Sequence, residues 1–235
     1  MMEPDTATTN ESPHAGEDDR TCRIRVWDLP TRLFHWMLVL SVAVCLVTGN
    51  IGGTALSLHV QSGLTVLGLL MFRLVWGFVG GRQARFSAFV RGPRTVLRYA
   101  REMLQGAAPR HLGHNPLGGW SILAMLLALA LQAGTGLFSS DDILTEGPLY
   151  HLVASTVAYQ LTRIHRINQI VVVVLAAIHI LAVLFYLWFK RDNLLKPMIT
   201  GIKKWPCDAD TYGGNLWVAA ALAALVAGGV YFLGR

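Results

Sequence analysis

Five stretches of this chain are apolar for eighteen residues or more, at 33–51, 56–79, 118–138, 167–189 and 216–233. Each is long enough, as a helix rising about 1.5 Å per residue, to cross most or all of a hydrocarbon core about 30 Å thick. The pattern predicts an all-α integral membrane protein with five transmembrane helices. The connection between the first two stretches is short and contains Gly52 and Gly53, so these helices are expected to be antiparallel neighbours. Between the second and third lies a long basic loop. Within it, 95–104 places Val96, Leu97, Ala100 and Leu104 near one face and Arg94, Arg98 and Arg101 toward another, as in an amphipathic helix lying on anionic lipid. A further segment, 149–161, is apolar but too short to span and is expected to lie at the interface before the fourth helix.

Charge fixes an expected orientation. With the N-terminus inside, sixteen of the twenty Lys and Arg fall in inner segments, Arg163, Arg166 and Arg235 fall outside, and Arg73 falls within the second span. The positive-inside bias then places the N-terminus in the cytoplasm and the C-terminus outside. Residues 1–21 are polar and acidic, without the basic and apolar regions of a signal peptide, and read as a disordered cytoplasmic tail. Composition agrees with a lipid environment: 53% of residues are hydrophobic, 14% are charged, and mean hydropathy is +0.45. The net charge of +6 is accounted for by the membrane bias and calls for no nucleic acid. Cys22, Cys45 and Cys207 are far apart and form no CxxC or CxxCH, so a covalent haem site and a zinc motif are excluded and the thiols are read as free.

The fourth stretch holds the chemistry. His165 opens it and His179 follows fourteen residues later. On a helix that spacing leaves the two imidazoles about 40° apart on one face and about 21 Å apart along the axis. His35 begins the first span, on the inner side, and His59 begins the second, on the outer side. Depth therefore pairs His35 with His179 and His59 with His165. A polar side chain in a span is expensive and marks function, and a neutral imidazole is a good ligand for haem iron. Two axial histidines leave no open coordination position, which suits electron transfer. Arg73, fourteen residues after His59, stands where it could pair with a propionate of the inner haem, and Arg163 and Arg166 could do the same for the outer one. His111 and His114 stand just before the third span and are read as part of its lead-in loop, with a quinone pocket as the alternative. Ala220, Ala224 and Gly228 give the fifth span a small-residue face that would suit another helix or a second copy of the chain.

The segments RVWDLPTRLFHW, LHVQSGLTVLGLLMFRLVWGFVG, HLGHNPLGG and FKRDNLLKPMITG, with the His165–His179 spacing, together resemble the bacterial cytochrome b561 and nickel-hydrogenase b-type cytochrome family over about residues 25–201. That resemblance implies a four-helix bundle with two non-covalent b haems, ligated by His35, His59, His165 and His179. It also implies electron exchange between membrane quinone and a periplasmic partner. The partner is expected to be a c-type cytochrome or, alternatively, a nickel hydrogenase or other dehydrogenase. Arg166 stands where many relatives carry an acidic residue, and the tail and the fifth span lie beyond the shared core. A proton-coupled transporter is disfavoured, because no Asp or Glu lies in a span and no inverted repeat is evident.

Overall fold

The computed structural model describes residues 21–207, 209 and 212–235. The acidic tail therefore lies, apart from Thr21, outside the described residues. Five helices cross the fold: α1 (Leu29–Ile51), α2 (Leu56–Val79), α5 (Pro116–Gly136), α6 (Ser155–Trp188) and α8 (Leu216–Leu233). Three short helices accompany them, α3 (Phe86–Phe89), α4 (Pro93–Leu104) and α7 (Leu195–Thr200), with two strands, β1 (Thr21–Arg25) and β2 (Ile202–Pro206). All five long helices have the length and apolarity to cross a membrane. The fourth starts earlier than its apolar run. Residues from Ser155 onward continue into it as one helix of 34 residues, in place of a separate interfacial segment.

Side chains sort inside out. Leu40, Ile51, Leu127, Leu225 and Phe232 are each more than two-thirds exposed, which is the surface that lipid covers. The interior holds two apolar clusters. One, at the end of the bundle where α1 begins, joins Phe34, Phe72, Trp76, Ala84 and Ala219. The other, at mid-depth, joins Val66, Leu70, Ala128, Leu129 and Val172. Helix α1 lies along α2, α5 along α6, and α2 also meets α5 and α8. The fifth long helix packs on α2 by inserting Val226 and Val230 over Gly68, while Ala220 and Ala224 of its small-residue face are exposed. Helix α4 forms as expected, but the side chain it buries is Tyr99, whose hydroxyl lies 3.1 Å from that of Tyr186, and Leu97 and Leu104 point outward.

A buried carboxylate ties the basic end together. Asp28 caps α1 by accepting from Thr31 N at 3.0 Å through Oδ1. Its Oδ2 accepts from Gly81 N and from Gly214 N, both at 3.1 Å. One side chain thus joins the start of α1, the exit of α2 and the approach to α8. Both glycines are required: a Cβ on Gly81 would lie 2.5 Å from Asp28 Oδ2, and one on Gly214 would lie 2.2 Å from Trp76, which is fully buried. Strand β1 pairs antiparallel with β2, Cys22 opposite Trp205, at the same end.

The strand pair corrects the reading of the cysteines. Cys22 and Cys207 are joined by a disulfide across a sequence separation of 185, with Cα atoms 4.9 Å apart, and Cys45 is the free thiol. Spacing along the chain could not find that bond, because the strand pairing alone brings its two halves together.

Asp28→Ala should leave three backbone N–H groups without an acceptor and lower stability by about 3 kcal/mol or more. Thermal unfolding in detergent, followed by circular dichroism, measures it. Asp28→Asn should fall between the two, since its Oδ1 can still cap α1 while its amide faces two donors. A melting temperature unchanged in Asp28→Ala would show the junction to be dispensable.

Candidate functional site

His59 on α2 and His165 on α6 face each other at one end of the bundle. Their ring centroids are 6.0 Å apart and their planes cross at 82°. Each ring is held by a backbone carbonyl of the neighbouring helix. His59 donates from Nδ1 to Cys45 O at 2.9 Å, and His165 donates from Nδ1 to Gln132 O at 2.9 Å. With Nδ1 carrying the proton, Nε2 keeps its lone pair, and the carbonyl sets the ring's direction. Four residues beyond each carbonyl is a glycine. A Cβ on Gly49 would lie 3.0 Å from the His59 ring, and one on Gly136 would lie 3.0 Å from the His165 ring. The two threonines before these glycines, Thr48 and Thr135, are buried, and each hydroxyl donates back to its own helix, to Val44 O and Leu131 O. Asn168, also buried, pins α6 to α5 by donating to Ala128 O and Gln132 Oε1, both at 2.8 Å.

The arrangement is one hairpin written twice. The offset from Thr48-Gly49 to Thr135-Gly136 is also the offset from Asp28, which caps α1, to Asn115, which caps α5 by accepting from Gly118 N. In each hairpin the second helix supplies a histidine to the first helix's carbonyl. Fourteen residues further along that second helix stands Arg73 in one hairpin and His179 in the other.

A cavity of about 290 Å³ lies around the pair, lined by Cys45, Gly49, His59, Gly63, Gln132, Gly136, His165 and Arg166, with Asp141 and Thr145 at its edge. Three backbone N–H groups, of Thr145, Ile143 and Leu144, hold the Asp141 carboxyl below the usual carboxylate range. Arg163 does not line this cavity and is exposed. Two residues from His165 is about 200° around a helix, so Arg163 faces away, whereas Arg166 faces the cavity. A second hollow of about 380 Å³, lined by Tyr150, Tyr159, Asp142 and several hydroxyls, contains none of the four histidines and carries none of this chemistry.

At the opposite end of the bundle His35 of α1 and His179 of α6 are both partly buried. Arg73 is 4% exposed, an unusual depth for a guanidinium. Its Nη2 donates to Ala84 O at 2.9 Å, and its plane lies 4.8 Å from the Phe86 ring and 5.9 Å from that of Phe89. His114, placed at the mouth of α5, joins this end. Its ring lies 4.6 Å from Trp27 and 5.1 Å from Phe89. Burial, then the neighbouring Arg73, His179 and His35, push its imidazole down to about 3, so the ring is neutral at physiological pH. His111 instead packs on Tyr99 at 5.2 Å.

The residues fit a bis-histidine metal group at the His59 end. Two metal–nitrogen bonds of about 2 Å, placed between facing imidazoles, set the ring centroids about 6 Å apart. Both Nδ1 atoms are already satisfied, which leaves two Nε2 lone pairs to coordinate. Depth along the helices led the sequence reading to expect these two residues together, and their rings face each other. It did not foresee the carbonyls and glycines that aim them, and it read His114 as lead-in loop with a quinone pocket as the alternative. The repeated Thr-Gly near the ends of the first and third spans was the available signal.

Comparison with known proteins places the chain in a family. The family described as prokaryotic cytochrome b561 matches residues 26–201. The "Probable Ni/Fe-hydrogenase B-type cytochrome subunit" of Rhodobacter capsulatus is 25% identical over 219 residues, covering 77% of this chain and 82% of that one. The protein of the same description from Bradyrhizobium diazoefficiens is 22% identical over 209 residues, covering 76% and 85%. The "Probable Ni/Fe-hydrogenase 1 B-type cytochrome subunit" of Escherichia coli K12 is 32% identical over 77 residues, covering 26% and 33%. No solved structure matches the chain.

Gly49→Ala and Gly136→Ala separate the site from the fold. Alanine favours a helix interior, so stability of the protein should hold or rise. The added methyl group should displace the imidazole from its carbonyl and weaken metal-group binding at that end by about 10- to 100-fold, as loss of an orienting partner does. Titration of the pigment's visible absorbance measures it. Unchanged affinity in both variants would show that the glycines do not set the ring positions.

Proposed function

We propose that this chain, which belongs to the prokaryotic cytochrome b561 family, carries electrons across a bacterial inner membrane by way of two b haems, one at each end of the α1–α2–α6 interior. The family makes it a haem-binding, multi-pass membrane cytochrome of electron transport. The observation that carries the two-centre reading is the facing His59–His165 pair, with both Nδ1 atoms tied to carbonyls, and a second set of imidazoles, His35 on α1 and His179 on α6, at the other end of the bundle. Haem b, when bound, supplies a one-electron centre whose potential its surroundings tune. The chain's own residues do the rest. His59 and His165 hold one group, and His35 and His179 hold the other. Arg166 lines the first site as one of the two arginines, with Arg163, expected to pair with its propionates, while Arg73 supplies a buried positive charge at the second. Helix α6 contributes one imidazole to each.

Electrons would exchange with the membrane quinone pool on one side and with a periplasmic redox protein on the other. The names of the relatives, all Ni/Fe-hydrogenase cytochrome subunits, favour a hydrogenase or similar dehydrogenase as that partner. Those names describe the relatives' assignment. A periplasmic c-type cytochrome is the second reading, and co-purification of the tagged chain from native membranes separates the two. The excess of Lys and Arg at the His35 end supports a cytoplasmic N-terminus.

A pyridine haemochrome assay on the purified protein should find two b haems per chain. His179→Ala should remove the one at the His35 end, and His165→Ala the other, each halving the haem content. A single haem in the unaltered chain, or full content in both variants, would refute the two-centre reading. Orientation has its own measurement. Cys22 and Cys207, joined as a disulfide, lie at the basic end and mark its side of the membrane once reduced. After treatment with a membrane-permeant reductant, a membrane-impermeant maleimide should therefore label them only when the inner membrane is opened. Labelling of intact spheroplasts would reverse the topology.

A further inference from the structure

Among the described residues, the buried side-chain nitrogen and oxygen atoms that lack a hydrogen-bond partner all belong to six residues: Thr31, Arg32, His35, Arg73, Trp76 and His114. All six are at the His35 end, and no such atom belongs to the His59 end. A buried polar atom without a partner costs about 1–3 kcal/mol, so their concentration at one end marks where a polar group from outside the chain is expected. Its chemistry follows from the donors. Arg32 Nε, Arg73 Nη1 and Trp76 Nε1 can only donate, and two of the three belong to cations. The group that satisfies them is an acceptor with negative charge.

Arg73 and His114 are the two that converge. Both contact the Phe89 ring, Arg73 at 5.9 Å and His114 at 5.1 Å. Arg73 already uses Nη2 on Ala84 O, which fixes the guanidinium and leaves Nη1 buried and free to donate. Trp27 and Phe89 hold the His114 ring, and its Nδ1 is buried without a partner. Asp28 is the carboxylate that acts on Arg73, yet both its oxygens are engaged by three backbone N–H groups. Among the described residues, the chain therefore supplies the cation but not the anion.

We propose that His114 and Arg73 form a two-donor clasp for a carboxylate of the haem held between His35 and His179. This rests on the reading that a haem occupies that end. Haem b carries two carboxylates, and a clasp of an arginine arm and a neutral imidazole N–H gives one of them two hydrogen bonds to its ionised oxygens, one from a cation and one from a neutral donor. His114 is a positioning residue in this role. It binds the cofactor's edge and leaves coordination to His35 and His179. A quinone carbonyl is the other oxygen that could accept from the same two donors.

The experiment uses the full chain carrying His165→Ala, so that only the His35-end haem is present, and measures transfer of that haem to excess apomyoglobin. His114→Phe keeps the ring packing and removes the donor; His114→Gln keeps a donor. With haem b, His114→Phe should release haem about 10-fold faster, the loss of one hydrogen bond to a charged group, with the low-spin spectrum intact, and His114→Gln should stay near the parent. With haem dimethyl ester, which has no carboxylate, the parent itself should release faster and His114→Phe should add nothing. The parent's acid-to-ester ratio tests the clasp even where a variant fails to accumulate. Equal acceleration with both haems, no acceleration, or unchanged release with loss of a quinone analogue's spectral shift would each overturn the proposal. Loss of the low-spin spectrum in His114→Phe would make His114 a ligand instead and overturn it also. Absence of any haem in the His165→Ala parent would refute the underlying two-centre reading and leaves the acid-to-ester comparison in the unaltered chain to decide the clasp.

Discussion

An imidazole can serve in a bilayer interior only if its second nitrogen is satisfied within the protein, because no water is there to do it. The His59 end is built around that constraint. Each Nδ1 proton goes to a helix carbonyl that is not its own, and each ring is brought close enough to do so because a glycine stands opposite it. The carbonyls in question already accept within their helices, so the bond uses the second lone pair and disturbs no ladder. Packing and chemistry are therefore one requirement. A side chain at position 49 or 136 would fill the groove and turn the imidazole away from its partner.

The repeated hairpin explains how two such contacts arise. In α1–α2 and again in α5–α6, a capped helix that opens with an Asp or Asn and a proline climbs to Thr-Gly and meets the histidine of the helix that returns. Two copies face each other, so the two imidazoles meet across the interior. The copies do not stay equivalent. Asp28 accepts three backbone N–H groups and fastens three segments, whereas Asn115 accepts from Gly118 N and donates to the Tyr186 hydroxyl at 2.7 Å. The first hairpin thereby becomes the anchor for the linker to α8, and the second becomes the anchor for α4.

What the amino-acid sequence made legible is what periodicity and depth encode. The five spans, the common face of His165 and His179, and the pairing of His59 with His165 follow from counting along helices whose direction the Lys and Arg residues set. Contacts between distant segments were not legible. Cys22 and Cys207 meet through a strand pair that no local pattern announces. Asp28 reads as an ordinary N-cap until Gly81 and Gly214 arrive beside it. Arg163 and Arg166 look alike in a list of outer cations, and only the helix phase, measured from His165, separates the residue facing the cavity from the one facing away. His114 reads as loop because its partners, Trp27, Phe89 and Arg73, come from three other segments.

The difference between the two ends follows from one position in the repeat. If both hairpins carried histidine fourteen residues beyond His59 and His165, the lower pair would mirror the upper one, and each half would be self-sufficient. α2 instead carries Arg73 there, and the partner for His179 comes from α1, as His35. That exchange leaves the His35 end with an extra buried cation and with His35 Nδ1 lacking the carbonyl that its counterparts at the other end possess. An arginine at this depth, stacked on Phe86 and fixed by Ala84 O, is costly unless an anion joins it. The chain has committed its nearby carboxylate, Asp28, to holding helices together. Among the described residues, the His59 end therefore leaves no buried polar side-chain atom without a partner, and the unpartnered donors collect at the His35 end, where the proposed haem carboxylate would meet them.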